Sequence, residues 1–316
     1  MRFSVIIPLY NKALYVAKAI DSVLSQSFGD YEVVIVDDGS KDGSAEEAAK
    51  LIEGHLNCRL IRQENSGVSM ARNNGVAVSQ GEYLCFLDAD DWWEPTFLEE
   101  MDKLVSELPE AGIFGANYTI VNEKRHKTRV ASVGVSPGFE KGYIDYCQVY
   151  AKNMYMPLWT GAVCVPRKVF DEVYGFPQGI TLGEDFLLWI RIALKHKVAF
   201  LNKPLSNYNQ DVDGANRGVG RLHNPKNHML WNLDFLAEEE KNNAELKQLL
   251  DNLRAFSLMP YLLSNEYSEE ARHELNKVDW SKQPRNVTKL YHLPLFLLRA
   301  VQSMRNVGSS LKAAVQ

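Results

Sequence analysis

Three acidic motifs stand where apolar runs of the sequence begin or end. Asp37-Asp38 closes EVVIVDD, Asp88-Ala89-Asp90-Asp91 follows the run YLCFL, and Glu184-Asp185 precedes FLLWIRIALKH. Carboxylates can bind a hard cation, accept hydrogen bonds from a ligand, or remove a proton. The chemistry of each motif therefore depends on how many carboxylates it carries and on the element that holds it.

The acids at 88–91 are more numerous than a local structural role requires. In an extended chain alternate residues point the same way, so we expect Asp88 and Asp90 to address one ligand while Ala89 packs away. Mg²⁺ or Mn²⁺, shared with substrate phosphates, would relieve the repulsion between them. Alternatively, Asp90 or Asp91 caps the helix starting near Pro95, although a cap requires only one acid. We expect Asp91 to serve this turn and helix start.

The other two acidic motifs each leave two interpretations open. In Asp37-Asp38-Gly39-Ser40, turn chemistry explains Gly39 and Ser40, whereas the extra carboxylate suits a base N–H or a ribose hydroxyl. Glu184 and Asp185 stand where the helix macrodipole favours an acid. One of them could instead act as a general base for a hydroxyl.

Three tryptophans are candidates either for the core or for an aromatic wall against a sugar or a base. Trp92 and Trp93 are neighbours and cannot both bury in the same way, so we expect one of them to line a cleft. Trp159 is the third.

The order of elements predicts a sheet that gathers these motifs. Apolar strand-like runs at 3–8, 32–38, 58–63 and 82–88 alternate with helix-like segments, which is typical of a parallel sheet covered on both faces. Ligands bind at the carboxyl ends of such strands, where the loop PLYN and the first two acidic motifs stand. We expect no Lys or His at these strand ends as an alternative nucleophile. The pattern loosens after residue 110, although 113–121, 159–166 and 197–208 still read as strands.

Composition excludes several classes of protein. The 316 residues are 46% hydrophobic with a formal charge of −5, which argues against a nucleic-acid partner. The G-x-G-x-x-G motif of dinucleotide-binding folds is absent after the first strand, which argues against a dehydrogenase. The G-x-x-x-x-G-K-[ST] motif is also absent, which argues against P-loop chemistry. Cys85 and Cys164 lie in apolar runs, which indicates buried reduced thiols of a cytosolic protein. No signal peptide and no apolar run of about 20 residues is found, so we expect a cytoplasmic location.

The sequence beyond about residue 216 is helical in character, so we predict domains at 1–215 and 216–316. Residues 281–316 carry six Lys or Arg and no Asp or Glu, interleaved with apolar residues. This segment could lie on the inner face of the plasma membrane. More often such a segment packs on the domain with a solvated basic face, and it could also contribute to a homo-oligomer.

Taken in order, the motifs resemble family-2 glycosyltransferases of the GT-A fold. They are SVIIPLYNK with VVIVDDGS, then SMARNNG with LDADDWWEP, and then LGEDFLLW. The resemblance implies an α/β, Rossmann-like and mostly parallel sheet flanked by helices, with a C-terminal helical extension. It also implies inverting transfer of one sugar, dependent on Mn²⁺ or Mg²⁺, from a nucleotide-diphosphate sugar such as a UDP-sugar.

The resemblance fixes neither the donor sugar nor the acceptor, but it extends to individual residues. The acceptor would be a glycan or lipid-linked hydroxyl in cell-surface polysaccharide, lipopolysaccharide or capsule synthesis. Transfer would be non-processive, because the Q-x-x-R-W motif and membrane helices of the synthases are absent. Asp185 matches the catalytic base and Asp90 the metal ligand of the D-x-D motif, while an acceptor pocket would include Glu184, Trp159 and Trp93. The residues matching nucleotide-sugar contacts are Pro8, Tyr10, Asn11, Asp38, Arg72 and Asp88.

Two other functions compete with this one. A sugar-1-phosphate nucleotidyltransferase should carry a glycine-rich basic loop after the first strand, whereas PLYNKALY has no glycine. A non-catalytic nucleotide-sugar-binding partner subunit would not need both Asp90 and Asp185.

Overall fold

The computed structural model describes residues 1–212 and 222–299. The chain divides into two compact units, Met1–Met229 and Leu230–Gln316. The predicted boundary near residue 215 lies outside the described residues. Within the described ranges, no helix has the length and apolar character that crossing a bilayer requires.

The first unit is built on one ten-stranded sheet. Its strands are β1 (Phe3–Leu9), β2 (Tyr31–Asp37), β3 (Cys58–Arg62), β4 (Tyr83–Phe86), β5 (Trp92–Trp93), β6 (Ala111–Asn122), β7 (Lys127–Val130), β8 (Lys141–Ile144), β9 (Val163–Pro166) and β10 (Lys197–Asn209). The order across the sheet is β3-β2-β1-β4-β9-β6-β10-β5, with β7 on β6 and β8 on β10.

The sheet is parallel in its N-terminal half and mixed beyond it. Strands β3, β2, β1 and β4 pair in parallel, as do β6 and β10. Strand β9 lies between β4 and β6 and runs antiparallel to both. Strands β7 and β8, which the sequence pattern did not predict, also pair antiparallel and are partly or fully exposed, as such strands tolerate. The predicted α/β architecture is confirmed with this mixture of strand directions.

Helices of the first unit connect and cover these strands. They are α1 (Val16–Leu24), α2 (Ser44–Leu51), α3 (Val68–Val78), α4 (Phe97–Glu107), α5 (Tyr146–Asn153), α6 (Arg167–Glu172) and α7 (Glu184–Ala193). Strands β1 and β2 are buried at every residue, which explains their near-continuous apolar sequence. Cys85 and Cys164 face each other across β4 and β9 as buried free thiols.

The second unit is helical, as predicted. It contains α8 (Ala237–Asn242), α9 (Ala244–Ser257), α10 (Met259–Leu263), α11 (Ser268–Leu275) and α12 (Arg285–Tyr291). Helix α9 supplies much of its core through four buried leucines, Leu246, Leu249, Leu250 and Leu253. Arg254 is also buried there, and its charge is offset by Glu240 at 2.5 Å and by Asp251 at 3.5 Å.

Candidate functional site

The loop after β1 is held against the loop after β2 by hydrogen bonds, two of which involve Asn11. The backbone N–H of Asn11 donates to Ser40 Oγ at 3.1 Å, and that of Lys41 donates to Asn11 Oδ1 at 2.9 Å. Asn11 has a φ of 51°, a left-handed conformation that Asn adopts more readily than most residues. Of the residues predicted to contact a nucleotide, Tyr10 is 44% exposed beside this junction, whereas Pro8 is buried within β1.

Asp38 is buried and fixes the start of α3. Its Oδ1 accepts from Gln63 Nε2 and from the backbone N–H of Ser66, both at 2.7 Å, and its Oδ2 accepts from the backbone N–H of Gly67 at 2.9 Å. Gly67 immediately precedes α3, so the carboxylate lies at the positive end of the helix dipole. A contact between Asp38 and a nucleotide base stays a prediction.

Arg72, on α3, joins two of the acidic motifs. Its guanidinium donates to Asp88 Oδ1 at 2.6 Å and to Glu184 Oε1 at 2.9 Å, and its side chain is only 3% exposed. Burial by itself would lower the pKa of Arg72, but the charges of Asp88 and Glu184 more than offset this and raise it. Helix α3 can approach β1 closely at Gly75, because a Cβ there would lie 2.5 Å from Ile6 Cγ2.

Residues 88–91 form a turn, so the prediction of an extended segment with alternating side chains is wrong. The backbone N–H of Asp91 donates to the carbonyl of Asp88 at 3.0 Å and closes the turn. The turn still brings the carboxylates of Asp88 and Asp90 near each other. Burial raises the pKa of Asp90, and the charge of Asp88 adds to that rise while Lys12 opposes it.

Asp91 does not serve the start of α4, contrary to the prediction. Its Oδ1 accepts from the backbone N–H of Asn209 on β10 at 2.8 Å, and its Oδ2 accepts from Trp159 Nε1 at 3.3 Å. Helix α4 follows Thr96, whose side chain does not cap it, and the backbone N–H of Leu98 in its first turn donates instead to Gln26 Oε1 at 3.0 Å. Burial raises the pKa of Asp91 well above its ordinary value, and the charges of Asp90 and Asp88 add to the effect. Asp91 therefore ties the acidic turn to the far half of the sheet.

Lys12 is the residue at this edge that the sequence reasoning missed. Its Nζ lies 2.6 Å from Asp90 Oδ2, and both side chains are mostly buried, at 13% and 19% exposure. The expectation that no Lys or His stands at these strand ends is therefore wrong. The position of Lys12 in the sequence could have indicated its role at the site, because Lys12 directly follows Tyr10 and Asn11 in the loop after β1.

Glu184 and Asp185 form the first turn of α7. The preceding Gly183 has a φ of 83°, which favours glycine, and a Cβ there would also meet the side chain of Met229. Asp185 Oδ2 accepts from Thr160 Oγ1 at 2.8 Å, and its Oδ1 accepts from the backbone N–H of Phe186 at 2.7 Å. Nothing in the sequence pattern pointed to Thr160. The carboxylate of Asp185 is thus held from two sides.

The tryptophans divide between core and site. Trp93 is 3% exposed, stacks on Phe97 at 4.0 Å and donates to the carbonyl of Gly161, so it is a core residue and cannot line an acceptor pocket. Trp92 keeps a partly exposed ring, which Lys18 Nζ covers at 3.1 Å. Trp159 is half-buried.

Trp159 belongs to an aromatic group beside the acids. Its ring packs against Tyr208 at 4.3 Å and Tyr118 at 5.4 Å, measured between ring centroids. Because Trp159 bonds Asp91 while Thr160 bonds Asp185, two consecutive residues connect the acidic turn to the first turn of α7. This is a second link between the motifs, independent of Arg72.

The donor atoms at the acidic turn suit a hard divalent cation. Asp88 and Asp90 each use one carboxylate oxygen for a protein cation and have a second oxygen. Among residues 1–212 and 222–299, no group of three or more His, Cys, Asp or Glu is arranged to hold a metal by itself. A site of one or two carboxylates completed by substrate phosphates is nonetheless the usual arrangement for Mg²⁺. Burial is the main reason that the pKa of Asp90 is raised, and the nearby charge of Asp88, which adds to that rise, also favours a bound cation.

We expect Glu184→Gln to remove a pH-dependent cost of folding. Burial, with the charge of Asp185 added and that of Arg72 opposing, raises the pKa of Glu184 from 4.5 to about 6. The folded wild type therefore resists ionisation, and its free energy of unfolding falls by roughly 2 kcal/mol as pH rises through this interval. Gln cannot ionise, so the variant should lack that fall, as measured by urea unfolding from pH 4.5 to neutral pH.

The exposed Glu46, which pairs with Arg62, provides the matched control for this measurement. Glu46→Gln should show the same pH dependence as the wild type. A stability difference between Glu184→Gln and the wild type that stays constant across the interval would contradict the prediction.

The fold and the arrangement of the site define a GT-A α/β protein. Chains of Staphylococcus aureus TarS resemble it over 99% of its length. The TarS 1–349 structure in complex with UDP-GlcNAc gives a TM-score of 0.72 at 20% identity, with 92% of that chain covered. The TarS 1–349 structure in complex with UDP gives a TM-score of 0.70 at 19% identity. This likeness confirms the predicted GT-A fold.

The chain belongs to glycosyl transferase family 2, whose family model matches residues 4–172. An uncharacterised glycosyltransferase of Nostoc sp. is 42% identical over 250 residues, which cover 78% of this chain and 73% of the relative. Glycosyltransferase GlyA of Streptococcus pneumoniae is 33% identical over 216 residues, which cover 66% of this chain. The chain spans only 30% of GlyA and between 39% and 48% of three rickettsial relatives.

Proposed function

We propose that this protein is a non-processive, inverting glycosyltransferase that moves one sugar from a nucleotide-diphosphate sugar to an acceptor hydroxyl. The observation that carries the proposal is the double link between the acidic turn 88–91 and the first turn of α7. Arg72 provides one link and the pair Trp159–Thr160 the other. They hold a group suited to a sugar diphosphate near a carboxylate suited to proton removal, although Asp185 follows the turn by 94 or more positions in sequence.

The donor side is assigned to the carboxyl edge of β1, β2 and β4. Tyr10, Asn11 and Asp38 are proposed to receive the nucleotide, with Pro8 shaping the strand end beneath them. Family membership supports a nucleotide-sugar donor, and the complex of TarS with UDP-GlcNAc favours a UDP-sugar carrying a hexose or N-acetylhexosamine. Arg72 fixes Asp88 on the ribose side.

Asp90, with Asp88 nearby, would hold a Mn²⁺ or Mg²⁺ shared with the donor phosphates. When bound, this ion supplies positive charge that stabilises the departing diphosphate. Lys12 lies against Asp90 and adds a positive charge from the protein at the same edge. Together the bound ion and Lys12 would supply positive charge where the departing diphosphate develops negative charge.

Asp185 is the proposed general base. It removes the proton of the acceptor hydroxyl as that oxygen bonds to the anomeric carbon, and the bond from the anomeric carbon to the diphosphate breaks in the same displacement. One displacement inverts the anomeric centre. The hydroxyl of Thr160 and the backbone N–H of Phe186 orient the carboxylate for this role.

The acceptor is proposed to bind beside Trp159 and Glu184. The half-buried ring of Trp159 offers an apolar face for a saccharide, and Glu184 positions the edge of the pocket through Arg72. A glycan or lipid-linked saccharide of a cell-surface polysaccharide, lipopolysaccharide or capsule fits this class of reaction. A homo-oligomeric state and a cytoplasmic location stay predictions.

The two competing functions are less well supported. A nucleotidyltransferase does not fit a chain that belongs to glycosyl transferase family 2. A purely binding subunit gives no reason for the hydrogen bond from Thr160 that orients Asp185.

We expect a panel of nucleotide-sugars with Mn²⁺ to contain a ligand that raises the melting temperature. A ligand at one hundred times its dissociation constant stabilises a folded protein by about 2.7 kcal/mol. Asp90→Asn should remove most of the shift that depends on Mn²⁺, because it halves the charge available to the ion. The measurement is differential scanning fluorimetry with and without the metal.

Asp21→Asn, an exposed substitution on α1, is the control and should leave the shift unchanged. If no nucleotide-sugar stabilises the wild type, or if Asp90→Asn responds as the wild type does, the donor assignment is wrong.

A further inference from the structure

We propose that the C-terminal part of the second unit carries a docking surface for anionic lipid bilayers. The surface, here called the basic face, comprises four exposed cations and three exposed apolar residues. The cations are Lys282, Arg285, Lys289 and Arg299, and the apolar residues are Leu293, Phe296 and Leu297. This inference concerns a partner and does not depend on the proposed transfer reaction.

Charge in the second unit is separated along the chain. Residues 230–279 contain eleven Asp or Glu and five Lys or Arg, whereas residues 281–316 contain six Lys or Arg and no acid. In the part of the unit that the structure describes, none of the four cations of the basic face forms a salt bridge. Exposed cations outside salt bridges can attract an anionic surface.

Large apolar side chains are exposed among these cations. Phe296 is 70% exposed, Leu297 41% and Leu293 37%, all within five residues. Phe256 at the end of α9 is 74% exposed and adjoins the same region, because the hydroxyl of Tyr291 donates to the carbonyl of Ala255 at 2.6 Å. Apolar exposure of this kind, set among cations, is the composition of an interfacial membrane-binding surface.

Residues 282–299, which carry the basic face, are packed against the rest of the second unit. Thr288 Oγ1 donates to the carbonyl of Trp280 at 3.3 Å, Arg299 donates to Asn265 Oδ1 at 3.0 Å, and Leu298 is buried at 3% exposure. The phenyl ring of Phe296 and the side chain of Leu297 are thus exposed although their neighbour Leu298 belongs to the core. A surface partner would remove these apolar groups from water.

Charge complementarity selects a lipid surface as the occupant. A second copy of this chain in a two-fold interface would bring the same cations against each other. A polyanion such as a nucleic acid would satisfy the cations but leave Phe296 and Leu297 in water. An anionic bilayer supplies both negative headgroups and an apolar layer beneath them.

The test is cosedimentation of the full-length protein with vesicles of phosphatidylcholine, with and without one third phosphatidylglycerol. We expect binding only to the anionic vesicles, and weaker binding at high salt. Lys282→Gln/Arg285→Gln/Lys289→Gln should weaken the partition on the order of 100-fold, since each cation near such a surface contributes about 1 kcal/mol. Phe296→Ser/Leu297→Ser should also reduce binding without changing its salt dependence.

Matched controls replace equally exposed residues of the first unit. Lys50→Gln/Lys152→Gln/Lys168→Gln removes the same charge, and Leu56→Ser/Val130→Ser removes the same kind of apolar exposure. Both should bind as the wild type does, and thermal melts should show all four variants folded. The proposal is overturned if the wild type does not cosediment with anionic vesicles, or if the charge variant and its control bind equally. It is also overturned if Phe296→Ser/Leu297→Ser dissociates an oligomer, measured by sedimentation velocity, and leaves vesicle binding unchanged.

Discussion

Asp185→Asn is expected to lower turnover of the donor by about 10²–10⁴-fold, the usual contribution of a positioned general base. Asn keeps the size of the side chain, and its amide can accept from the backbone N–H of Phe186 and donate to Thr160 Oγ1. Both hydrogen bonds to position 185 can therefore persist while the capacity to take a proton is lost. Release of free nucleoside diphosphate from the donor found by thermal shift measures the effect, with water or an added saccharide as acceptor.

Binding and control variants separate the loss of a base from a loss of fold. Asp185→Asn should retain the thermal shift given by the donor, because Asp185 is assigned to the acceptor side. Thr160→Ser keeps the hydroxyl that orients Asp185 and should retain most activity, whereas Thr160→Val should lose part of it. Asp171→Asn, on an exposed position of α6, should have no effect. Wild-type turnover in Asp185→Asn would show that this carboxylate is not the base.

Arg72→Met is expected to destabilise the first unit by about 3 kcal/mol and to abolish donor binding. The substitution fills a similar volume but leaves Asp88 and Glu184 without the cation that lies between them. Removing one partner of a buried ion pair typically costs 3–5 kcal/mol, and we take the lower value because the carboxylate of Asp88 is 30% exposed. Urea unfolding and the donor-dependent thermal shift measure the two effects.

The destabilisation should be relieved by also removing the two carboxylate charges, on Asp88 and Glu184, that Arg72→Met leaves without a cation. Arg72→Met/Asp88→Asn/Glu184→Gln should recover most of the unfolding free energy but not donor binding. Arg62→Met breaks an exposed pair with Glu46 and should cost less than about 1 kcal/mol. Equal stabilities for Arg72→Met and Arg62→Met would show that the bridge from α3 contributes nothing beyond a surface ion pair.

Several features of the fold and site were predictable from local sequence. The apolar runs that became β1 and β2 are buried at every residue, and such runs are required by a sheet covered on both faces. Strand ends in such a sheet share one edge, which is why PLYN and the acids after β2 and β4 could be assigned to a common region. The start of α7 at Glu184 was likewise marked by its acids.

Features that depend on contacts distant in sequence were not predictable in this way. The antiparallel insertion of β9 between β4 and β6 has no signature in either strand. The alternation of side-chain directions in an extended chain did not predict the geometry of residues 88–91, because a hydrogen bond from Asp91 to Asp88 closes a turn there. Trp92 and Trp93 have the same side chain, and the pairing of β5 with β10 decided which ring was buried.

The sequence by itself determined the class of fold, the family and the acidic residues available for chemistry, because strand periodicity and motif order are local properties. The tertiary structure decided which groups meet: Lys12 with Asp90, Thr160 with Asp185, and Arg72 between Asp88 and Glu184. These partners are separated by 16 to 112 positions in the chain. Only the packing of helix against sheet fixes the distances between them.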